Sequence, residues 1–155
     1  MAKKSTIIIG LGNPILSDDG AGLQAARKLK EALKDRNDVE VVEAYAGGLR
    51  LLDLLVGHQR AIIIDAMETA CEPGTIRRFS PSDLQQTRNV SSSHDASLTN
   101  ALETGRALGM DMPPEVIVFG IEAAAVDNFS EALTEKVAKA VPDMIKTVMG
   151  LIDQA

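Results

Sequence analysis

The sequence is poor in several things, and each shortage excludes a class of protein. It has no tryptophan, one tyrosine and three phenylalanines, so aromatics supply only 3% of 155 residues and the core must be built from Ile, Leu, Val, Ala and Met. A single cysteine, Cys71, rules out a disulfide framework and fits a reducing compartment. No apolar run is long enough to span a bilayer, and Ile7–Ile9 breaks into Gly-Leu-Gly-Asn-Pro too early for a signal segment. The expectation is a cytoplasmic protein with no membrane partner. Basic charge is also scarce: 16 Lys and Arg against 22 Asp and Glu give a net charge of -6 and a pI near 4.9. Gripping nucleic acid requires clustered cations, so no nucleic-acid partner is expected.

What remains is ordinary globular material, 45% hydrophobic and 25% charged, in a length that suits one domain over residues 1–155. Apolar, β-branched runs alternate with helical patterns. Strands are expected at 6–10, 39–44, 61–66 and 115–121, with a weaker one at 74–79. Ile62-Ile63-Ile64 and Val116-Ile117-Val118-Phe119 do not alternate with polar residues, as befits strands covered on both faces. Helical stripes run through Leu23, Ala26, Leu29 and Leu33, through Leu98, Ala101, Leu102 and Leu108, and from Leu133 to Ile152, and a short helix is expected over 49–55. Pro142 should kink the last stripe or start a second helix. The polar stretch 80–97 reads as a long loop. The fold class that follows is α/β: a three-layer sandwich, with a mainly parallel twisted sheet of about five strands flanked by helices.

In such sheets ligands bind beyond the carboxyl ends of the strands. Asp18 and Asp19 follow the first strand, Gly47 and Gly48 the second, and Asp65 ends the third. His94 precedes the helix that Ser91–Ser93 would cap. One of Asp18 and Asp19 is expected to cap the helix beginning near Gly20, leaving Asp19 to face the cleft. Asp65, directly after three isoleucines, is costly without partners, which favours a functional role. Two carboxylates and an imidazole make an open site for a divalent ion such as nickel or zinc, with positions left for water or substrate. Other signals are weaker. The glycine loop lacks the third glycine of a dinucleotide site, and its aspartates would repel a pyrophosphate. No nucleophile elbow, zinc helix or Walker loop occurs. His58 reads as a surface residue, Cys71 as a small residue in a turn, and Met144 and Met149 as core.

The blocks "GLGNPILSDDGAG" (10–22), "IIIDAMETACEPGTI" (62–76) and "VIVFGIE" (116–122), with His94 after a serine-rich loop, resemble the hydrogenase maturation proteases over essentially the whole chain. The resemblance implies a metal-dependent, aspartic-type endopeptidase, acting as a monomer. Its implied substrate is the precursor of the large subunit of a nickel–iron hydrogenase, from which it removes a C-terminal extension once nickel is in place. It implies that Asp19, Asp65 and His94 meet the nickel carried by that precursor, that Asp19 or Asp65 serves as base, and that Gly47 and Gly48 belong to a substrate-recognition loop. Zinc, cadmium or calcium could occupy the same ligands in vitro. The chain departs from the family pattern at Leu51, where a further glycine is usual, and at Ala123, where proline is common. Two alternatives stand beside this reading: a non-proteolytic module that senses or binds the nickel centre, and a peptidyl-tRNA hydrolase. The latter also begins with "GLGNP" but requires a histidine that is missing between that motif and His58.

Overall fold

The computed structural model describes residues 4–45, 49–86 and 93–154. Five strands form one sheet in the order β2-β1-β3-β5-β4. The strands are β1 (Thr6–Leu11), β2 (Val39–Ala44), β3 (Arg60–Met67), β4 (Ile76–Phe79) and β5 (Glu115–Glu122). All pair in parallel except β4, which runs antiparallel along the edge of β5. Among the described residues, five α-helices cover the sheet: α1 (Ala21–Ala32), α2 (Leu49–Leu55), α3 (Pro81–Gln86), α4 (Ser93–Ala107) and α5 (Glu135–Asp153).

The period of two along each strand sorts the isoleucines between two cores. Ile8, Ile62 and Ile64 pack with Leu29 of α1 and with Val137, Met144 and Val148 of α5. Ile7, Ile9 and Ile63 face the other way, onto Leu51 and Leu55 of α2 and Leu98 and Leu102 of α4. The sheet is therefore buried on both faces, which is why its strands read as unbroken apolar runs.

Two expectations are revised. The stretch 80–97 is not one long loop: α3 occupies Pro81–Gln86, and α4 begins at Ser93, so His94 lies in the first turn of a helix. The signal for α3 was local. Ser80 Oγ accepts from the Asp83 N–H at 3.4 Å, the Asp83 carboxylate accepts from the Ser80 N–H at 2.9 Å, and Pro81 takes the first helical position. That is a reciprocal capping box with proline where no N–H is needed. The backbone and hydroxyl bonds from Ser80 also hold the Asp83 carboxyl below its ordinary value. Of the two outcomes expected at Pro142, a kink or a second helix, the second helix is excluded, since α5 runs through Pro142 as one element. Proline removes the bond to the carbonyl four residues back, but Pro142 and Ala138 are both exposed, so water can take that carbonyl.

The glycines of the first loop serve packing rather than anion binding. A Cβ on Gly22 would stand 2.3 Å from the Ile64 carbonyl oxygen and 2.6 Å from that of Leu11. Helix α1 thus rests its first turn directly on the backbones of β1 and β3. A Cβ on Gly12 would lie 2.0 Å from the Asp19 carbonyl oxygen, so only glycine lets the loop close over the next turn.

Candidate active site

The crossover from β1 to β2 runs through α1 on one face of the sheet, and the connection from β3 to β5, by way of β4 and α3, returns through α4 on the other. The crevice at the carboxyl ends of β1 and β3 is thus the topological switch point, the place where such sheets bind ligands. Asp19 follows β1 and Asp65 lies on β3, so the two sides of this crevice each carry a carboxylate.

Asp65 is fully buried and sits two residues inside the end of β3, opposite Gly120 of β5, rather than at the strand terminus. Its parity is that of Ile63, which places it on the face covered by α4. One of its oxygens accepts the Ala66 N–H at 2.8 Å. Helix α4, whose first turn carries His94, packs on this same face through Leu98 and Leu102; the His94 side chain lies outside the described residues, as do Gly47 and Gly48.

Asp19 belongs to a single turn of 3-10 helix, Ser17–Gly20, that packs against β3. The loop before it closes on itself. Ile15 N–H donates to the Asn13 side chain at 3.1 Å, Asp19 N–H to the Leu16 carbonyl at 3.1 Å, and Asn13 N–H to the Asp19 carboxylate at 3.0 Å. Asp19 is half-buried at the rim of the crevice. A groove of about 270 Å³ runs beside it, lined by Pro14, Gly20, Leu23, Gln24, Arg27 and Glu131.

Asp18 takes a part that sequence alone did not show. No side chain caps α1 at Gly20, contrary to expectation. The Asp18 carboxylate is fully buried and turned to the far side of the turn, where four donors reach it: Ala124 N–H at 2.9 Å, Ala125 N–H at 3.0 Å, and the N–H and hydroxyl of Thr134 at 2.8 Å each. It holds the start of α5, not of α1. Glu122 does the same for the loop after β3: buried at the end of β5, it accepts from the Thr69 N–H, the Thr69 hydroxyl and the Cys71 N–H. Arg77 donates to the Thr69 hydroxyl at 3.0 Å and stacks over the Phe79 ring. Each of these loops also contains a non-glycine residue in the left-handed region, Ser17 at φ 50° and Ala70 at φ 62°. Such strain persists only where surrounding contacts over-determine the backbone. The available signal for the Glu122 clamp was an acidic residue closing an apolar strand, whereas Asp18, between Ser17 and Asp19, carried no such mark.

The model of the hydrogenase maturation protease family HycI matches residues 23–151. The chain belongs to the hydrogenase maturation proteases. A Methanocaldococcus jannaschii protein assigned to them, MJ0253, is 32% identical over 157 residues, covering 98% of this chain and 99% of its own. The fold matches the hydrogenase-maturating endopeptidase HybD of E. coli at a TM-score of 0.82 with 22% identity, over 99% of this chain and 93% of that one. It matches the [NiFe] hydrogenase maturation protease HybD of Thermococcus kodakarensis at 0.77 with 26% identity, over 97% and 99%. The protein is accordingly a peptidase, and the expected α/β architecture with a mostly parallel five-stranded sheet is borne out. The peptidyl-tRNA hydrolase alternative falls away: its shared "GLGNP" opening here serves the α1–sheet approach and the Asp18–Asp19 turn.

One other residue also differs from expectation. His58 is buried, not superficial: its Nδ1 lies 2.6 Å from the Lys4 carbonyl and its Nε2 3.7 Å from Glu40. Met144 is core as expected, and Met149 is packed against it. No helix among the described residues is long and apolar enough to cross a membrane.

Proposed function

We propose that this protease removes the C-terminal extension from the nickel-loaded precursor of a nickel–iron hydrogenase large subunit, reading the nickel through Asp19, Asp65 and His94. The observation that carries this reading is the pair of acidic residues flanking the β1–β3 crevice, one of them fully buried. A buried carboxylate at a ligand-binding edge is expensive, and a cation arriving with the substrate would offset that cost. Two carboxylates and an imidazole leave coordination positions for ligands the precursor brings, so precursor lacking nickel would fail to dock. In this scheme the nickel is cargo. It places the cleavage segment beside Asp19 or Asp65, and either carboxylate can accept the proton of the attacking water.

Three of the large apolar side chains exposed among the described residues support a protein substrate. Ile15, Tyr45 and Phe129 lie in the loops after β1, β2 and β5, which all open on this same edge. Apolar side chains around the rim of a polar crevice suit a folded partner.

The test is to incubate the protein with nickel-loaded precursor and follow the precursor's C-terminal mass. A C-terminal peptide should be lost with wild type and retained with Asp65→Asn and with His94→Ala. Stable binding without trimming would overturn the proposal and favour a sensing module. Equal trimming of nickel-free precursor would overturn the metal-reading part.

A further inference from the structure

We propose that Asp18 is a positioning residue for the peptidase: its buried carboxylate locks segment 124–134 and the start of α5 onto the turn that presents Asp19. The proposal rests on the site reading above and asks what sets the place of Asp19 within it. An ionised carboxylate sealed from water is tolerated only where donors replace its hydration. The four donors to Asp18 all come from residues more than 100 positions along the chain. Their bonds therefore join two distant segments and do not merely finish a local turn.

The neighbouring contacts act on the same pair of segments. Asp18 N–H donates to the Ala125 carbonyl at 2.9 Å, Ser17 N–H to the Ser130 carbonyl at 2.8 Å, and the Ser17 hydroxyl to the Ala132 carbonyl at 3.1 Å. In return, Ser130 N–H donates to the Ile15 carbonyl at 2.9 Å. These bonds hold Ser17 in its left-handed conformation, which persists only where surrounding contacts over-determine the backbone. In a turn of three residues per revolution, successive side chains diverge by about 120°. Pinning Asp18 inward toward α5 therefore sends Asp19 round to the rim. Asp18 itself cannot reach a substrate, being fully buried with both oxygens engaged. Its influence passes through Asp19.

Asp18→Asn places an amide N–H₂ among four donors, and so turns part of the clamp repulsive without changing its size. The measurement is steady-state trimming of nickel-loaded precursor, below the variant's melting temperature, alongside calorimetric titration of Ni²⁺ alone into the free protein. A fall in kcat of about tenfold or more, with KM within about twofold and weakened Ni²⁺ binding, is expected, since small misplacements of reacting groups carry losses of this size. Thr134→Val removes only the hydroxyl donor and should lose about threefold in kcat, with recovery in Thr134→Ser. If Asp18→Asn does not fold, the Thr134 pair decides. A folded Asp18→Asn, or a Thr134→Val, that melts lower yet keeps wild-type kcat and Ni²⁺ binding overturns the proposal, because Asp18 is then structural only. Asp19→Asn separates the levels. Wild-type trimming by Asp19→Asn overturns the site reading and this proposal with it. Loss in Asp19→Asn together with wild-type rates in Asp18→Asn overturns this proposal alone.

Discussion

Replacing one glycine by alanine should have opposite effects in two helices of this protein. At Gly22 the new Cβ would stand 2.3 Å and 2.6 Å from backbone oxygens of Ile64 and Leu11. Neither oxygen can rotate away, because both belong to central strands. Helix α1 must therefore lift by about 0.7 Å before the nearer contact reaches 3.0 Å, opening its interface with β1 and β3 in a core that tolerates little slack. Overpacking of this kind costs about 1–3 kcal/mol, and two backbone clashes put Gly22→Ala at the upper end. The gain in helix propensity, at most about 1 kcal/mol, cannot cancel it. A net loss of about 2 kcal/mol corresponds to a melting temperature lower by about 4–8 °C for a chain of this size. Gly150 in α5 has no heavy atom within 4 Å of its added Cβ, so there only propensity acts. Gly150→Ala should gain about 0.5–1 kcal/mol and melt about 1–4 °C higher. Thermal unfolding followed by circular dichroism reads both. A Gly22→Ala protein that melts at or above wild type would refute the claim that this glycine exists for the helix–sheet approach.

Glu122→Gln leaves one acceptor oxygen for the donors of Thr69 and Cys71 and should cost about 1–3 kcal/mol. Hydrogen exchange at the Thr69 and Cys71 amides should quicken more than in the core strands, and unchanged protection there would show that Glu122 does not hold the loop. The Arg36 guanidinium, hydrogen-bonded to Asp38, draws its carboxyl down from 3.8 to about 2. Its stabilising effect is complete above pH 3.8 and fades as pH falls toward 2. Asp38→Asn should therefore melt below wild type at neutral pH, with the gap closing in that acidic window; a gap constant with pH would count against the pair. Exposure and salt screening keep this effect small.

Much of the fold was legible because burial on both faces leaves a plain trace. Runs such as Ile62–Ile64 have no polar alternation, and the stripe from Leu133 to Ile152 holds helical phase across Pro142. Helix α3 was missed as a helix, since six residues leave no periodicity and its evidence lay in the Ser80–Asp83 capping pair. His58 was misplaced for a related reason. A polar residue between a helix and a strand reads as surface, and only the approach of Lys4 and Glu40 from other segments encloses it.

The candidate site divides along the same line. Residue types and order by themselves determined that carboxylates follow β1 and lie on β3, because strand runs and the acidic residues beside them are local properties. Order along the chain favoured Asp19 for the crevice only through the family resemblance and a capping role for its neighbour. It gave no sign of what Asp18 does instead, since adjacent residues share composition and charge in any one-dimensional reading. The tertiary structure decided it by bringing Ala124, Ala125 and Thr134 across to Asp18. Donors from a segment more than 100 residues away make one aspartate part of the framework and leave its neighbour at the rim.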